Sequence, residues 1–198
     1  MTQRDLLQFN DLWDEAMAAQ QFPPAKGAEY HDKAAIACLE QWLPRIEKEA
    51  GLGLTVLDVG CGRGYLRVWF MNRGWFYENV DVQGEPTYKQ DFHFDPSDYA
   101  IPKYVLVFAR HVVEHSPMPI LAVARLYGFT QGGGWCILVT LKPPFHSDLA
   151  DHLSVMGRAM WSNLVRRVGF EIIDADEAGV GDGSTEMRFL LRREIDKG

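Results

Sequence analysis

Residues 56–66 read VLDVGCGRGYL, and this stretch decides the fold class of the chain. A short apolar run leads directly into three glycines at alternate positions, Gly60, Gly62 and Gly64. In open α/β sheets such a turn lets a ligand approach the backbone, and the following helix offers free N–H groups to an anion. The stretch therefore predicts a buried strand, a ligand-binding loop and a helix, in that order.

Strand-like and helix-like segments alternate along the rest of the chain. Residues 104–109 (YVLVFA) form a continuous apolar run, which is typical of a parallel strand buried on both faces. The last two strands have no helical spacing between them, so they are expected to form an antiparallel hairpin at one edge. The alternation predicts a three-layer α/β/α sandwich with a mostly parallel sheet and an antiparallel last strand. Strands are predicted at residues 55–58, 75–81, 104–109, 135–141, 170–174 and 187–192, and helices at 65–73, 118–126 and 159–168.

Two further helices are predicted before the glycine-rich stretch, at residues 5–19 and 30–43, with proline and glycine residues between them. We expect residues 1–50 to form an N-terminal helical cap and residues 51–198 to form the α/β core. The length of 198 residues fits a single domain of this kind, so residues 1–198 are expected to form one domain with no internal linker.

Composition and charge narrow the function classes. Lys plus Arg number 20 and Asp plus Glu number 27, so the formal charge is 20 − 27 = −7. This balance disfavours nucleic-acid binding, because phosphate contacts need clustered basic side chains. Three cysteines without CxxC spacing suit a reducing compartment. The sequence opens on no apolar signal core and contains no run approaching the ~18 apolar residues of a membrane span, so we expect a cytoplasmic protein without membrane contact.

Two other interpretations of the motifs are disfavoured. The glycines follow GxGxG rather than the GxGxxG fingerprint of dinucleotide-binding proteins, and no GKS or GKT follows, so neither a nicotinamide oxidoreductase nor a Walker loop fits. Residues 111–115 (HVVEH) match the HxxEH zinc-protease pattern, in which two histidines share one face of a helix. Pro117 limits any helix there to about one turn, so no metal site is predicted.

The glycine-rich stretch and five later segments, in the same order, resemble the motifs of class I S-adenosylmethionine-dependent methyltransferases, across about residues 50–192. The later segments are Asp81 at the end of the second strand, QDF at 90–92, VVEHSP at 112–117, TQGGG at 130–134 and VGFEI at 168–172. The resemblance implies a Rossmann-like sheet of seven strands. It also implies S-adenosylmethionine as the cofactor and S-adenosylhomocysteine as the product.

By the same resemblance, Asp81 binds the ribose hydroxyls of the cofactor and Asp91 lies near the adenine amino group, with Phe92 beside the ring. Asp81 and Asp91 are only 91 − 81 = 10 positions apart, so the intervening helix of the family is expected to be missing or reduced. Arg110 is expected to contribute its backbone rather than its charge. The residues expected to contact the cofactor are Asp58, Gly60, Cys61, Gly62, Gly64, Asp81, Val82, Asp91, Phe92 and Arg110.

Methyl transfer needs a general base only when the acceptor atom must lose a proton. His146, in the loop after the strand predicted at 135–141, is the first candidate for this base, and His111, just after the strand at 104–109, is the second. No large recognition domain is present, so the acceptor is expected to be a small metabolite, a sugar or a lipid-like molecule. The alternative is a catalytically silent protein of this fold that binds S-adenosylmethionine or S-adenosylhomocysteine. The acceptor atom and the oligomeric state stay open.

Overall fold

The structure is a computed structural model and describes residues 28–82, 84, 86–92, 104–144, 152–181 and 183–195. Within these ranges the strands form one sheet in the order β3-β2-β1-β4-β5-β7-β6. All neighbouring strands are parallel except β7, which runs antiparallel to both β5 and β6. The predicted seven-stranded sheet with an antiparallel last strand is therefore confirmed. The strands are β1 (Thr55–Val59), β2 (Phe76–Asp81), β3 (Tyr88–Lys89), β4 (Tyr104–Arg110), β5 (Thr130–Leu141), β6 (Phe170–Gly179) and β7 (Thr185–Arg193).

Helices cover both faces of the sheet. Because successive side chains of a strand point to opposite faces, Val56 of β1 joins the core on one side while Leu57 and Val59 join the core on the other. No helix in the described ranges is both long enough and apolar enough to cross a lipid bilayer. The helices are α1 (Ala28–Ala50), α2 (Leu66–Met71), α3 (Pro119–Phe129) and α4 (Arg158–Val168), with a short 3-10 helix at Val113–His115.

The central strand β4 is buried throughout its apolar part. Every residue from Tyr104 to Ala109 is buried, as the continuous apolar run predicts for a strand covered on both faces. Its neighbours β1 and β5 are also parallel to it. The carboxyl ends of β1, β2, β4 and β5 therefore meet at one edge of the sheet, where ligands bind in open α/β folds.

Helix α1 packs directly onto one face of the sheet. Its buried residues follow helical spacing and join the core that contains Val56 of β1 and Leu190 of β7. The indole N–H of Trp42 donates a hydrogen bond to Asp174 Oδ2 on β6 at 3.0 Å. Residues 28–50 thus pack on the sheet as part of one helical layer of the sandwich. The helix predicted at residues 5–19 lies outside the described residues.

Two local features differ from the sequence-based expectation. The glycine run at 132–134, expected as a turn, lies inside β5. The register between β4 and β5 shifts there, from Tyr104 paired with Thr130 to Leu106 paired with Trp135. Residues 131–134 therefore form a bulge, and Gly133 takes a left-handed φ of +75° that a glycine adopts at little cost. Strand β3 is only two residues long, too short for a periodic pattern. The described residues between β2 and β3 contain no helix, as the Asp81–Asp91 spacing predicted.

Candidate functional site

The glycine loop joins β1 to α2 at the carboxyl edge of the sheet. Gly60, Gly62 and Gly64 all have left-handed φ values, +72°, +54° and +70°, which L side chains adopt at a cost. The N–H of Gly60 donates to the carbonyl oxygen of Val80 at 2.9 Å, and this bond ties the loop to the end of β2. The sequence pattern and the backbone geometry therefore agree on a constrained loop at the predicted ligand-binding edge.

The loop is closed on one side and open on the other. A Cβ atom added to Gly60 would lie 2.8 Å from both Cβ and Cγ2 of Val112, which follows β4. A Cβ added to Gly62 would meet nothing within 4 Å in the described part of the chain. The segment after β4 is therefore packed against the loop at Gly60, whereas space remains beside Gly62.

Asp81 holds the loop from the end of β2. Its Oδ2 accepts a hydrogen bond from the N–H of Gly62 at 2.8 Å, and its carbonyl oxygen accepts from the N–H of Gln90 at 3.1 Å. The second bond brings Asp91 and the buried Phe92 to the same strand end. Val82 follows directly and is partly exposed. The residues predicted to contact ribose and adenine are thus placed side by side, and their cofactor contacts stay predictions.

Asp58 is a second carboxylate at the loop, and it is almost fully buried. Its Oδ2 accepts a hydrogen bond from the Tyr77 hydroxyl at 2.6 Å. Burial raises the pKa of Asp58 to about 7; the Tyr77 hydrogen bond works against this shift and repulsion from Asp81 adds to it. A cationic ligand beside the loop would relieve this repulsion. The two carboxylates, which accept hydrogen bonds and carry negative charge, therefore fit a cofactor that has a positive charge and ribose hydroxyls.

Cys61 and Asn79 complete the loop. The Asn79 amide donates to Cys61 Sγ at 3.2 Å, and its Oδ1 accepts from the N–H and the hydroxyl of Thr87 at 2.7 and 2.9 Å. Burial and the nearby carboxylates of Asp58 and Asp81 raise the pKa of the Cys61 thiol far above its usual range. Cys61 is therefore a packing residue of the loop rather than a thiolate nucleophile.

His111 lies one residue past β4, in a left-handed backbone conformation with φ +54°. Its Nε2 is 2.7 Å from Glu186 Oε1 on β7, and Arg110 Nε donates to the same oxygen at 2.8 Å. Glu186 is almost completely buried. Burial alone would raise the pKa of Glu186, but the hydrogen bond from His111 and the charge of Arg110 lower it below its usual range. The side chain of Arg110 is thus engaged by Glu186.

Glu114 is the other acid beside His111, and it is fully buried. The Thr140 hydroxyl donates to its Oε2 at 3.2 Å, while Oε1 has no hydrogen-bond partner within the described ranges and lies 3.9 Å from His111 Nδ1. Burial raises the pKa of Glu114 to about 7, against the lowering effects of its backbone N–H, of Thr140 and of Arg110. An acid that titrates near neutral pH therefore lies next to His111.

The HxxEH segment does not form the helix that a zinc site needs. It contains a 3-10 helix, and its two histidines point to different partners: His111 to Glu186, and His115 to the ring of His152 at a centroid distance of 4.9 Å. In the part of the chain that the structure describes, no group of three or more His, Cys, Asp or Glu side chains is arranged so that it could hold a metal ion. The first candidate base, His146, lies outside the described residues.

Sequence reasoning missed three polar side chains of this edge, Tyr77, Asn79 and Glu186. Tyr77, Asn79 and Asp81 alternate along β2 and share one face, so period-two spacing before the acid was a usable signal. Glu186 gave no such signal, because it is 75 positions from His111 and is the second residue of a strand that the sequence pattern predicts to begin at residue 187.

Comparison with known proteins decides the family. A family model described as a methyltransferase domain matches residues 28–175, which is 148 of the 198 residues. The chain belongs to this methyltransferase family. The membership confirms the resemblance to class I S-adenosylmethionine-dependent methyltransferases, and with it the prediction of S-adenosylmethionine as the cofactor. It also includes α1 in the family domain, in line with the packing of that helix on the sheet.

Individual methyltransferases resemble this one at lower identity. A ubiquinone biosynthesis O-methyltransferase of Paraburkholderia phytofirmans is 27% identical over 105 residues, which cover 46% of this chain and 45% of that protein. The match therefore spans about half the length of that relative. The 1,6-didemethyltoxoflavin-N1-methyltransferase of Burkholderia thailandensis, solved with 1,6-didemethyltoxoflavin and S-adenosylhomocysteine, has a TM-score of 0.64 at 15% identity and 84% coverage of each chain. A methyltransferase of Archaeoglobus fulgidus has a TM-score of 0.61 at 15% identity, covering 81% of this chain and 94% of its own.

Proposed function

We propose that this methyltransferase transfers a methyl group from S-adenosylmethionine to a small-molecule acceptor at the carboxyl edge of its sheet. The observation that carries the proposal is the glycine loop clamped by Asp81 beside the buried Asp58. Two carboxylates and an open Gly62 at the end of parallel strands suit a cationic nucleoside. Support for a small acceptor comes from the net charge of −7 and from the toxoflavin precursor bound by the Burkholderia thailandensis neighbour.

The six predicted cofactor residues outside residues 60–64 each have an assigned task in this proposal. Asp81 accepts hydrogen bonds from the ribose hydroxyls, and Asp91 and Phe92 contact the adenine. Asp58 faces the positively charged amino-acid end, and Val82 and the backbone of Arg110 line the walls. When bound, the cofactor supplies an activated methyl group on a positively charged sulfur. The chain orients the acceptor toward this methyl and excludes water, and orientation alone contributes about 7–11 kcal/mol in such displacements.

His111 is the proposed general base of the described site, since it follows β4 and borders the segment packed on Gly60. His146 stays the alternative base, carried by its sequence position alone. We also propose that residues 1–198 form one domain, that the protein acts in the cytoplasm and that nucleic acid is not its substrate. These proposals rest on the composition and on the extent of the family match.

Calorimetric titration with S-adenosylmethionine and S-adenosylhomocysteine, and with NADH as a control ligand, tests the cofactor site. The wild-type protein should bind the first two with micromolar affinity and should not bind NADH. Asp81→Ala should weaken binding by about 1–3 kcal/mol, because it removes an acceptor from hydroxyls and from the Gly62 N–H. Glu171→Ala, an exposed acid on β6, is the matched control and should leave the affinity unchanged.

The outcomes separate the two candidate functions. Binding followed by release of S-adenosylhomocysteine on a panel of hydroxyl and amine acceptors supports the methyltransferase. Binding with no turnover on any acceptor favours the catalytically silent alternative. An Asp81→Ala variant that folds and binds as tightly as the wild type would remove Asp81 from the site.

A further inference from the structure

Glu186 lies at the candidate site although it belongs to the antiparallel strand of the sheet. It is the second residue of β7, the strand that runs antiparallel to its neighbours, and it pairs in register with Leu141 at the end of β5. Its carboxylate therefore reaches the carboxyl edge of the sheet, where one oxygen contacts both Arg110 Nε at 2.8 Å and His111 Nε2 at 2.7 Å. Nothing in the proposed cofactor site uses this acid.

The contact determines which nitrogen of His111 carries the proton. A carboxylate held by an arginine is ionised, and an ionised carboxylate can only accept hydrogen bonds. Nε2 of His111 must therefore be the N–H donor to Glu186. In this tautomer Nδ1 is the nitrogen that gains and loses a proton, because the partner of one ring nitrogen sets the state of the other.

The backbone conformation of His111 is strained, which indicates that its neighbours hold the residue in this position. The φ of His111 is +54°, a left-handed conformation that is costly for a residue other than glycine, and such conformations persist where the surroundings over-determine them. The N–H of His111 donates to the carbonyl oxygen of Val139 at 3.0 Å, so the backbone is fixed by β5 while the ring is fixed by Glu186. Both ends of the residue are thus anchored at the edge that faces the glycine loop.

We propose that Glu186 is a positioning residue that locks His111 in the Nε2–H tautomer, so that Nδ1 takes the proton of a hydroxyl or N–H acceptor during methyl transfer. The inference rests on the proposed function for the transfer itself and adds the acceptor class: the reacting oxygen or nitrogen carries a proton.

The proton and the electrons balance without a further reactant. The acceptor atom uses its lone pair to form the bond to the methyl carbon, and the carbon–sulfur bond breaks with its electron pair going to the sulfonium sulfur. The proton of the acceptor moves to Nδ1 and makes His111 an imidazolium. That charge faces Glu186 on β7 and Glu114 in the 3-10 helix, with Arg110 of β4 as the opposing cation.

Long-range ¹H–¹⁵N NMR of the ¹⁵N-histidine-labelled full chain tests the proposal directly, since it reports tautomer and titration of each imidazole without cofactor or acceptor. The His111 signals among those of six histidines are assigned with His111→Asn, because asparagine tolerates the left-handed backbone. Wild-type His111 should show the Nε2–H tautomer when neutral. In Glu186→Gln the tautomers should mix, and the pKa of His111 should fall by about one unit or more, because an opposite charge is lost while Arg110 remains.

Two variants make the test specific. Glu177→Gln removes the same charge from the neighbouring strand β6, where Glu177 pairs with Lys142 at 2.6 Å, and should leave the His111 signals unchanged. Glu186→Asp keeps the charge and should retain the tautomer, which covers the case that Glu186→Gln does not fold. A wild-type His111 in the Nδ1–H tautomer, or unchanged His111 signals in folded Glu186→Gln, overturns the proposal. Absence of S-adenosylmethionine binding in calorimetry overturns the proposed function alone, so the two failures are distinguishable.

Discussion

Substitution of Gly60 by alanine is the sharpest test of how the cofactor loop is built. Two terms act against Gly60→Ala. The φ of +72° places the new side chain in the left-handed region, at about 1–2 kcal/mol. The new Cβ would also lie 2.8 Å from two atoms of Val112, and overpacking of this kind costs about 1–3 kcal/mol. Together they predict a loss of roughly 2–5 kcal/mol in the free energy of unfolding.

Gly62→Ala is the matched control for the clash. Its φ of +54° carries the same kind of backbone strain, but a Cβ there would meet nothing within 4 Å in the described ranges. We expect a loss of only about 1–2 kcal/mol, so the difference between the two variants isolates the contact with Val112. Urea unfolding followed by circular dichroism gives both values.

A double-mutant cycle decides whether Val112 is the cause. Val112→Gly removes all three side-chain atoms that the new Cβ would meet, so Gly60→Ala should cost less in that background, with a coupling of about 0.5–3 kcal/mol. The reasoning fails if Gly60→Ala destabilises no more than Gly62→Ala, or if its effect is the same with and without the Val112 side chain. Either result would mean that the segment after β4 does not rest on the loop.

Two further predictions concern the buried acid Asp58 and the buried face of α1. The pKa of Asp58 is about 7 when folded and ~3.9 when unfolded, so its contribution to stability is present below pH 4 and is lost as the pH rises through 7. Between pH 5 and 8 the free energy of unfolding should therefore fall by ~2.5 kcal/mol less in Asp58→Asn than in the wild type. If the free energy of unfolding has the same pH dependence in both proteins, this prediction is wrong. Leu39→Ala in the buried face of α1 should cost about 2–5 kcal/mol in urea unfolding, against about 0.5 kcal/mol for the exposed Glu40→Ala; similar losses would show that α1 is not core.

The elements of the sheet were predictable where local sequence carries the physical cause. β4 is a continuous apolar run because both of its faces are buried, and the β1–loop–α2 unit is marked by glycines that the backbone requires. β3 was not visible in the pattern, because two residues show no periodicity. The packing partners of α1 were not predictable for a related reason. Its apolar spacing shows that one face is buried but does not say against what, and these partners lie as far along the chain as Leu190.

The residues of the candidate site were likewise predictable only where the local sequence carries the physical cause. The loop and Asp81 were predictable because they belong to one strand–loop–helix–strand unit and contact each other 19 positions apart. His111 was placed correctly after β4, but its partner was not found. In a parallel sheet, ligand-binding residues are expected directly after the last residue of each strand. This rule predicts that His111 and the residues after β5 lie at the ligand-binding edge.

The same rule does not find the site residue on β7, because this strand runs antiparallel to the others. An antiparallel strand inserted between β5 and β6 begins where its parallel neighbours end, so its first residues, not its last, lie at the ligand edge. Register fixes which ones: Glu186 pairs with Leu141, two positions beyond Val139, and Val139 pairs with Arg110 of β4. This register places Glu186 at the ligand edge, where its carboxylate contacts His111. The direction of one strand thus brings into the site the residue that we propose controls the proton.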